Sequence, residues 1–456
     1  MEIDIYAMYV NKREIVFLSI LSLSLSTLLI PANAAAKTGA KCNKAGITTV
    51  ASGKTYTCVK SGKKLVWNKG IAVFKPIPTP AVATSVLTNV NGYLGAVGCK
   101  LANGNNVARV TQSFQQNPYR LRTTKPIHAL ILPIDFPDLI GYSDPQKDFA
   151  YVADGVSDYF KQLSDGKSII NWTIYPRFIR YGTKVADARL GGRTTSGYGT
   201  FSTEAMNLAK QTVDISTYDL IVYAPPLTTT RNQIAIGPAF VSESPTKINA
   251  TMLDAQSYEM KNPLTTAHEI GHLMGLADLY NFEAANEAAA QKSIGAQFQQ
   301  FTYMGIFDLM NNVSGNGVEL TAWNRWLIDF ITDDQIRCLP PASTTTLLTP
   351  VEVNGGIKGA VIPLSTTEAI VLESRRAIRY DKNLGKSSEG VLVYKVNTSI
   401  SSGSGPMRVI GRPQSAEILL SDAPLKLNES LILDGYIIKV IESGSFGDVI
   451  KVEKGA

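Results

Sequence analysis

The chain has 456 residues, 45% of them hydrophobic, with 44 Lys and Arg against 38 Asp and Glu and a formal net charge of +6. That length exceeds what one compact core organises and predicts two or three domains. The basic balance is an N-terminal property: Lys37 to Ile134 carry 14 basic residues and no acid, while residues 135–456 carry 28 basic and 35 acidic, a net of −7. Such a basic stretch suits a polyanion, but with no recognisable reading motif, in a chain whose N-terminus reads as an export signal, nucleic acid is not the expected partner.

Residues 1–34 read as a secretory signal peptide. Lys12 and Arg13 precede an apolar run from Ile15 to Ile30, and Ala32-Asn33-Ala34 offers small residues for cleavage. The run is short for a membrane span and no later stretch is apolar enough, so the mature chain is expected to be secreted, without a transmembrane segment. Glu2 and Asp4 are out of place in such a leader, which makes Met8 an alternative start. Export permits disulfides, and the four cysteines allow two. Cys42 with Cys58 is the natural local pair, leaving Cys99 with Cys338. The C-x-x-C spacing that a four-cysteine zinc site favours is absent.

Residues 35–74 form a small basic cysteine module with strand-like pieces at Lys54–Val59 and Lys64–Trp67, closed by the first disulfide. Its lysines suit an anionic cell-wall polymer or lipid surface bound through residues 37–74, or docking as a prosegment on the acidic remainder. A merely solvated basic face is the plain alternative. Residues 75–105 follow as a linker, opening with the stiff run Lys75-Pro76-Ile77-Pro78-Thr79-Pro80.

Residues 106–335 alternate strand and helix signals, predicting an α/β arrangement. Ile127–Ile134 reads as a buried strand, Tyr151–Leu163 as a helix, Ser168–Tyr175 as extended, Phe201–Val213 as a helix and Leu220–Tyr223 as a strand. His128, inside the first strand, reads as a packed or edge residue rather than a ligand. Residues 336–456 change to strands separated by Gly, Ser and Asn turns, predicting a β-rich C-terminal domain. Its expected strands are Gly359–Leu364, Ala369–Glu373, Val391–Val396, Ala416–Leu420, Gly435–Val440 and Asp448–Val452.

The chemistry concentrates in His268-Glu269-Ile270-Gly271-His272. Only three histidines occur in the chain, and two of them stand four apart around a glutamate. On a helix such residues share a face, so two imidazoles can hold one Zn²⁺ while Glu269 serves as general base toward a water beside it. Asn262 and Pro263 read as N-cap and first helical residue. Gly275 reads as the stop whose left-handed backbone turns the chain back and brings Asp278 in as third ligand. Three protein ligands leave the open position of catalytic rather than structural zinc. Glu283 or Glu287 is the alternative third ligand, but both lie close after His272 for the separate helix that such a set employs. Calcium requirement is not legible.

The run His268–Tyr280 resembles the metzincin pattern H-E-x-x-H-x-x-G-x-x-H with aspartate in the last place, and is most similar to the immune inhibitor A-like secreted bacterial zinc metallopeptidases. Gly305–Met310 looks like that family's Met-turn and Leu320–Trp326 like the helix after it. Tyr159–Lys167, Leu372–Arg375 and Gly390–Tyr394 resemble further segments, so the likeness spans roughly residues 120 to 450. It implies a metzincin-like catalytic domain, metal ligands His268, His272 and Asp278, and Glu269 as catalytic base. It also implies an edge strand over Lys247–Met252 that pairs with an extended peptide substrate. The sequence departs from the pattern in its long stretch from Asn281 to Tyr303, and in having no tyrosine two residues after Met310, which leaves the oxyanion-stabilising group unassigned. The reading is a zinc endopeptidase acting on protein or peptide. The competing readings are an exported binding or adhesion protein on an inactive peptidase fold, and a zinc amidase acting on cell-wall material.

Overall fold

The computed structural model describes residues 37–52, 54–72, 92–104, 110–191, 197–230, 232–234, 240–241, 249–252, 262–289, 296–311 and 318–455. The expected signal peptide and the run from Lys75 to Pro80 lie outside them. The chain divides into two compact units, residues 1–76 and 77–456.

In the first unit, β1 (Thr48–Ala51), β2 (Lys54–Ser61), β3 (Lys64–Trp67) and β4 (Ile71–Ala72) make an antiparallel sheet in which β2 pairs with the other three. Among its described residues, Tyr56, Cys58 and Cys42 are the buried side chains. A core this small is marginal alone, and the Cys42–Cys58 disulfide closes it as expected. All eight lysines from Lys37 to Lys69 are exposed.

The second unit is mixed α/β with several sheets. β5 (Ile127–Asp135), β6 (Ile170–Ile174), β7 (Ile179–Arg180), β8 (Leu220–Ala224), β9 (Phe240–Val241) and β10 (Asn249–Met252) form a sheet ordered β6-β5-β8-β10-β9, with β7 pairing β5 further along. All neighbours run parallel except β9. β5 is an almost unbroken apolar run because both its faces are covered. Ala129 and Ile131 pack with α1 (Ala150–Leu163), while Leu130, Leu132 and Ile134 pack on the opposite face with α2 (Tyr198–Lys210). In α1, Val152, Val156, Tyr159, Phe160 and Leu163 fall at helical spacing and are all buried. β10 is not the edge strand expected over Lys247–Met252: Asn249 and Ala250 pair with β8 on one side and with the two residues of β9 on the other. His128 is exposed near the start of β5, so it is not packed, and β5, flanked by β6 and β8, is not an edge strand.

Further on come α3 (Leu264–Leu273), α4 (Phe282–Ala289) and α5 (Ala322–Leu327), then β11 (Ile336–Cys338), β12 (Thr344–Leu348), β13 (Gly359–Pro363), β14 (Glu368–Arg375), β15 (Gly390–Asn397), β16 (Met407–Val409), β17 (Ser430–Leu433), β18 (Tyr436–Gly444) and β19 (Gly447–Lys454). Two sheets result, β11-β13-β14-β15-β16 and β12-β19-β18-β17. Ile370, Leu372, Val391 and Val393 point into the core between them, against Ile438, Val440 and Ile450. The alternate residues Val371, Leu392 and Tyr394 belong instead to the core that holds α1, α3 and α5. One sheet therefore serves two cores, and the C-terminal strands are built into the same unit as the α/β part. Glu373 takes the Ala322 N–H at the start of α5 and the Arg375 guanidinium, all fully buried, so two segments singled out in the sequence meet here.

The strand expected over Ala416–Leu420 does not form. Asp422 accepts from the Ala416 and Glu417 N–H groups and from Ser415 Oγ, which folds the segment into a loop. Cys99 ends a short 3-10 turn and bonds Cys338 on β11, as expected. That bond closes a loop of 239 residues. Its removal in a Cys99→Ala/Cys338→Ala double variant is expected to cost about 3–5 kcal/mol in denaturant unfolding; an unchanged midpoint would contradict this. Among the described residues, no helix is long and apolar enough to cross a membrane.

Candidate metal centre

α3 carries the two histidines, and both its ends are fastened. Asn262 Oδ1 accepts from the Leu264 N–H and the Thr265 hydroxyl donates to the Asn262 carbonyl, so the expected cap operates, with the helix beginning one residue later than read from sequence. At the other end Gly275 has φ +108°. Its N–H donates to the His272 carbonyl and the Leu276 N–H to the Gly271 carbonyl, the paired bonds of a Schellman stop. The Leu121 N–H and Arg120 Nη1 reach the last carbonyls of Leu273 and Met274, where a cation also complements the helix dipole.

The turn at Gly275 delivers Asp278 to the histidines. Asp278 Oδ1 lies 3.1 Å from His268 Nε2 and 3.3 Å from His272 Nε2. The other ring nitrogens are occupied: His268 Nδ1 is 3.1 Å from the Leu309 carbonyl, and His272 Nδ1 is 2.8 Å from the Leu276 carbonyl. A carbonyl can only accept, so each Nδ1 donates its proton there, which leaves each Nε2 turned to Asp278 as the nitrogen that would give its lone pair to a cation on losing its own proton. The three side chains form a potential metal-ligand group, their donor atoms within 4.8 Å of one another. Two imidazoles and a carboxylate, once the Nε2 protons are displaced by the ion, suit a divalent cation of the zinc type.

Without a cation, the charge at this point is balanced by a proton on His272. Burial alone would lift the Asp278 carboxyl, but the two imidazoles outweigh it and hold it well below the usual carboxylate range. Burial would likewise lower His272, yet Asp278, then Glu269 and the Leu276 carbonyl, raise it to about 9. The charge of Glu269, a residue only 7% exposed, thus reaches the same point. Such concentrated negative charge is what a bound cation would neutralise.

Beneath the helix lies the turn Gly305–Met310. Asp308 holds it at φ +71°, its carboxylate taking the Met310 and Thr321 N–H groups and the Asn324 amide. Fully buried Met310 packs under Gly271, where an added Cβ would stand 2.8 Å from its sulfur. The turn's function is visible in the Leu309 carbonyl, which orients His268. Glu283, by contrast, is exposed on α4, and the side chain of Glu287 lies outside the described residues. Among the described residues the group of His268, His272 and Asp278 stands alone as a potential metal site.

Three further contributors were not read from the sequence. The Tyr280 hydroxyl bonds to Asp278 and is pushed well above its ordinary range by burial, then by Asp278 and Glu269. Ser402 and Gly403 bond to the Asp278 backbone. Tyr280 sits two residues from the ligand and could have been suspected; Ser402 and Gly403 had no local signal.

No protein-family model matches the chain, and no curated protein matches it. Among solved structures it is similar to metalloproteinase-II from Bacteroides fragilis, with 17% identity over 50% of this chain and 67% of that one and a TM-score of 0.23. A likeness of that size defines neither a family nor an activity, so the functional reading stands on the site itself.

Proposed function

We propose that the chain is a secreted zinc-dependent endopeptidase with a metzincin-like catalytic region. The observation that carries this reading is the convergence of two Nε2 atoms and Asp278 Oδ1, with both Nδ1 atoms already committed to carbonyls, beside a buried glutamate on the same helix. Zinc held by His268, His272 and Asp278 would supply Lewis acidity toward water and the scissile carbonyl. Glu269 accepts a proton as the water oxygen bonds to the carbonyl carbon, and returns it to the amine as the C–N bond breaks. Casein should be cleaved by the purified protein and spared once a zinc chelator is present. Cleavage of purified cell wall with casein left intact would favour the amidase, and neither reaction would favour the adhesion protein.

For the first unit the same reading assigns an anchor to an anionic wall polymer, supported by eight exposed lysines without one acid from Lys37 to Ala72. Like charges on so small a module oppose its folding, a cost that a polyanion would offset. Lys60, Lys63 and Lys64 crowd the β2–β3 hairpin tip. Full-length protein is expected to bind a phosphodiester wall polymer at low salt and release it as salt rises, and glutamine at those three positions should weaken binding without altering casein cleavage. Undiminished binding by the triple variant would contradict the anchor. Increased cleavage on deleting the module would point to a prosegment.

A further inference from the structure

We infer that Ser402 and Gly403 are positioning residues for the metal's third ligand, so that the β15–β16 connection sets the affinity of the centre. This rests on the reading of Asp278 as a ligand. After Gly275 the chain has left its helix, and Asp278 lies in a stretch without regular secondary structure. Its direction has to be fixed from outside. The Asp278 N–H donates to Ser402 Oγ at 2.9 Å, and the Asp278 carbonyl accepts from the Gly403 N–H at 2.9 Å. The Gly403 carbonyl in turn accepts from the Phe282 N–H at 3.0 Å. Both main-chain groups of the ligand are thus gripped by two consecutive residues, the serine 124 positions away in sequence.

The grip is itself anchored. Thr398 Oγ1 donates to the Ala102 carbonyl, and the Asn397 N–H donates to the Pro406 carbonyl across the base of the loop. Gly403 has φ +73°, and a Cβ there would stand 2.2 Å from the Phe282 ring, so a glycine is required where the loop closes on the ligand segment. Partners that orient ligands commonly change metal affinity by 10–100-fold when removed.

The test is a titration of metal-free, full-length protein with Zn²⁺ against a competing chromophoric chelator, with circular dichroism as the check on folding. Ser402→Ala is expected to weaken zinc about 10-fold with an unchanged spectrum. Ser402→Thr, which keeps the acceptor oxygen, should bind nearly as well as the unaltered chain. Should Ser402→Ala fail to fold, Ser402→Val against Ser402→Thr asks the same question, since the two are alike in shape and differ in the hydroxyl. Equal zinc affinity with and without the hydroxyl would overturn the inference while leaving the ligand set intact. Unchanged affinity in Asp278→Ala would overturn the ligand assignment instead.

Discussion

Glu269→Gln is expected to abolish nearly all peptide hydrolysis, a loss of about 10² or more in kcat, while zinc content and the folded state are retained. The amide has almost the same size as the carboxylate but cannot accept the proton of the attacking water. Because Glu269 is buried beside His268 and its charge helps raise His272, a small change in metal affinity is also expected. The loss should appear in kcat rather than KM, since a proton acceptor acts in the transition state and not in substrate binding. Casein or peptide kinetics with parallel metal analysis read both quantities, and wild-type turnover by the variant would remove the mechanism.

Asp278→Ala is expected to release zinc from the purified protein, whereas Glu283→Ala keeps it. Two imidazoles alone hold the ion poorly, and Asp278 Oδ1 is the atom that both Nε2 atoms face. Glu283 is exposed on α4, so its loss should be neutral for metal and for stability. Retention of zinc without Asp278, with loss on removing Glu283, would move the third ligand to α4.

What could be read in advance was local. Histidines at i and i+4, an Asn-Pro start and a glycine stop lie within seventeen residues, and each acts through helix geometry or a left-handed turn, so the sequence positions of α3 and Asp278 were legible. The buried run of β5 and the spacing of α1 were legible for the same reason, one residue type repeating at one period. Contacts between distant segments were not. Nothing near His268 announces the Leu309 carbonyl, and nothing near Asp278 announces Ser402 or Gly403. Ala416–Leu420 has strand-forming residues, but Asp422 offers its backbone N–H groups a closer acceptor and the loop wins. The resemblance implies an edge strand over Lys247–Met252, whereas Asn249 and Ala250 gain a second neighbour in β9, a two-residue strand too short to leave a pattern in the sequence. The doubled use of the β13–β15 sheet was hidden too, since alternation shows that both faces are apolar but not which core each face enters.

The most direct test of the central claim is metal analysis of the purified protein, by mass spectrometry, joined to a casein assay with and without chelator. The account predicts one zinc ion per chain, hydrolysis that disappears with the ion, and recovery when zinc is returned. A chain that holds no stoichiometric metal after saturation with zinc, or that cleaves casein undiminished in chelator, would contradict it.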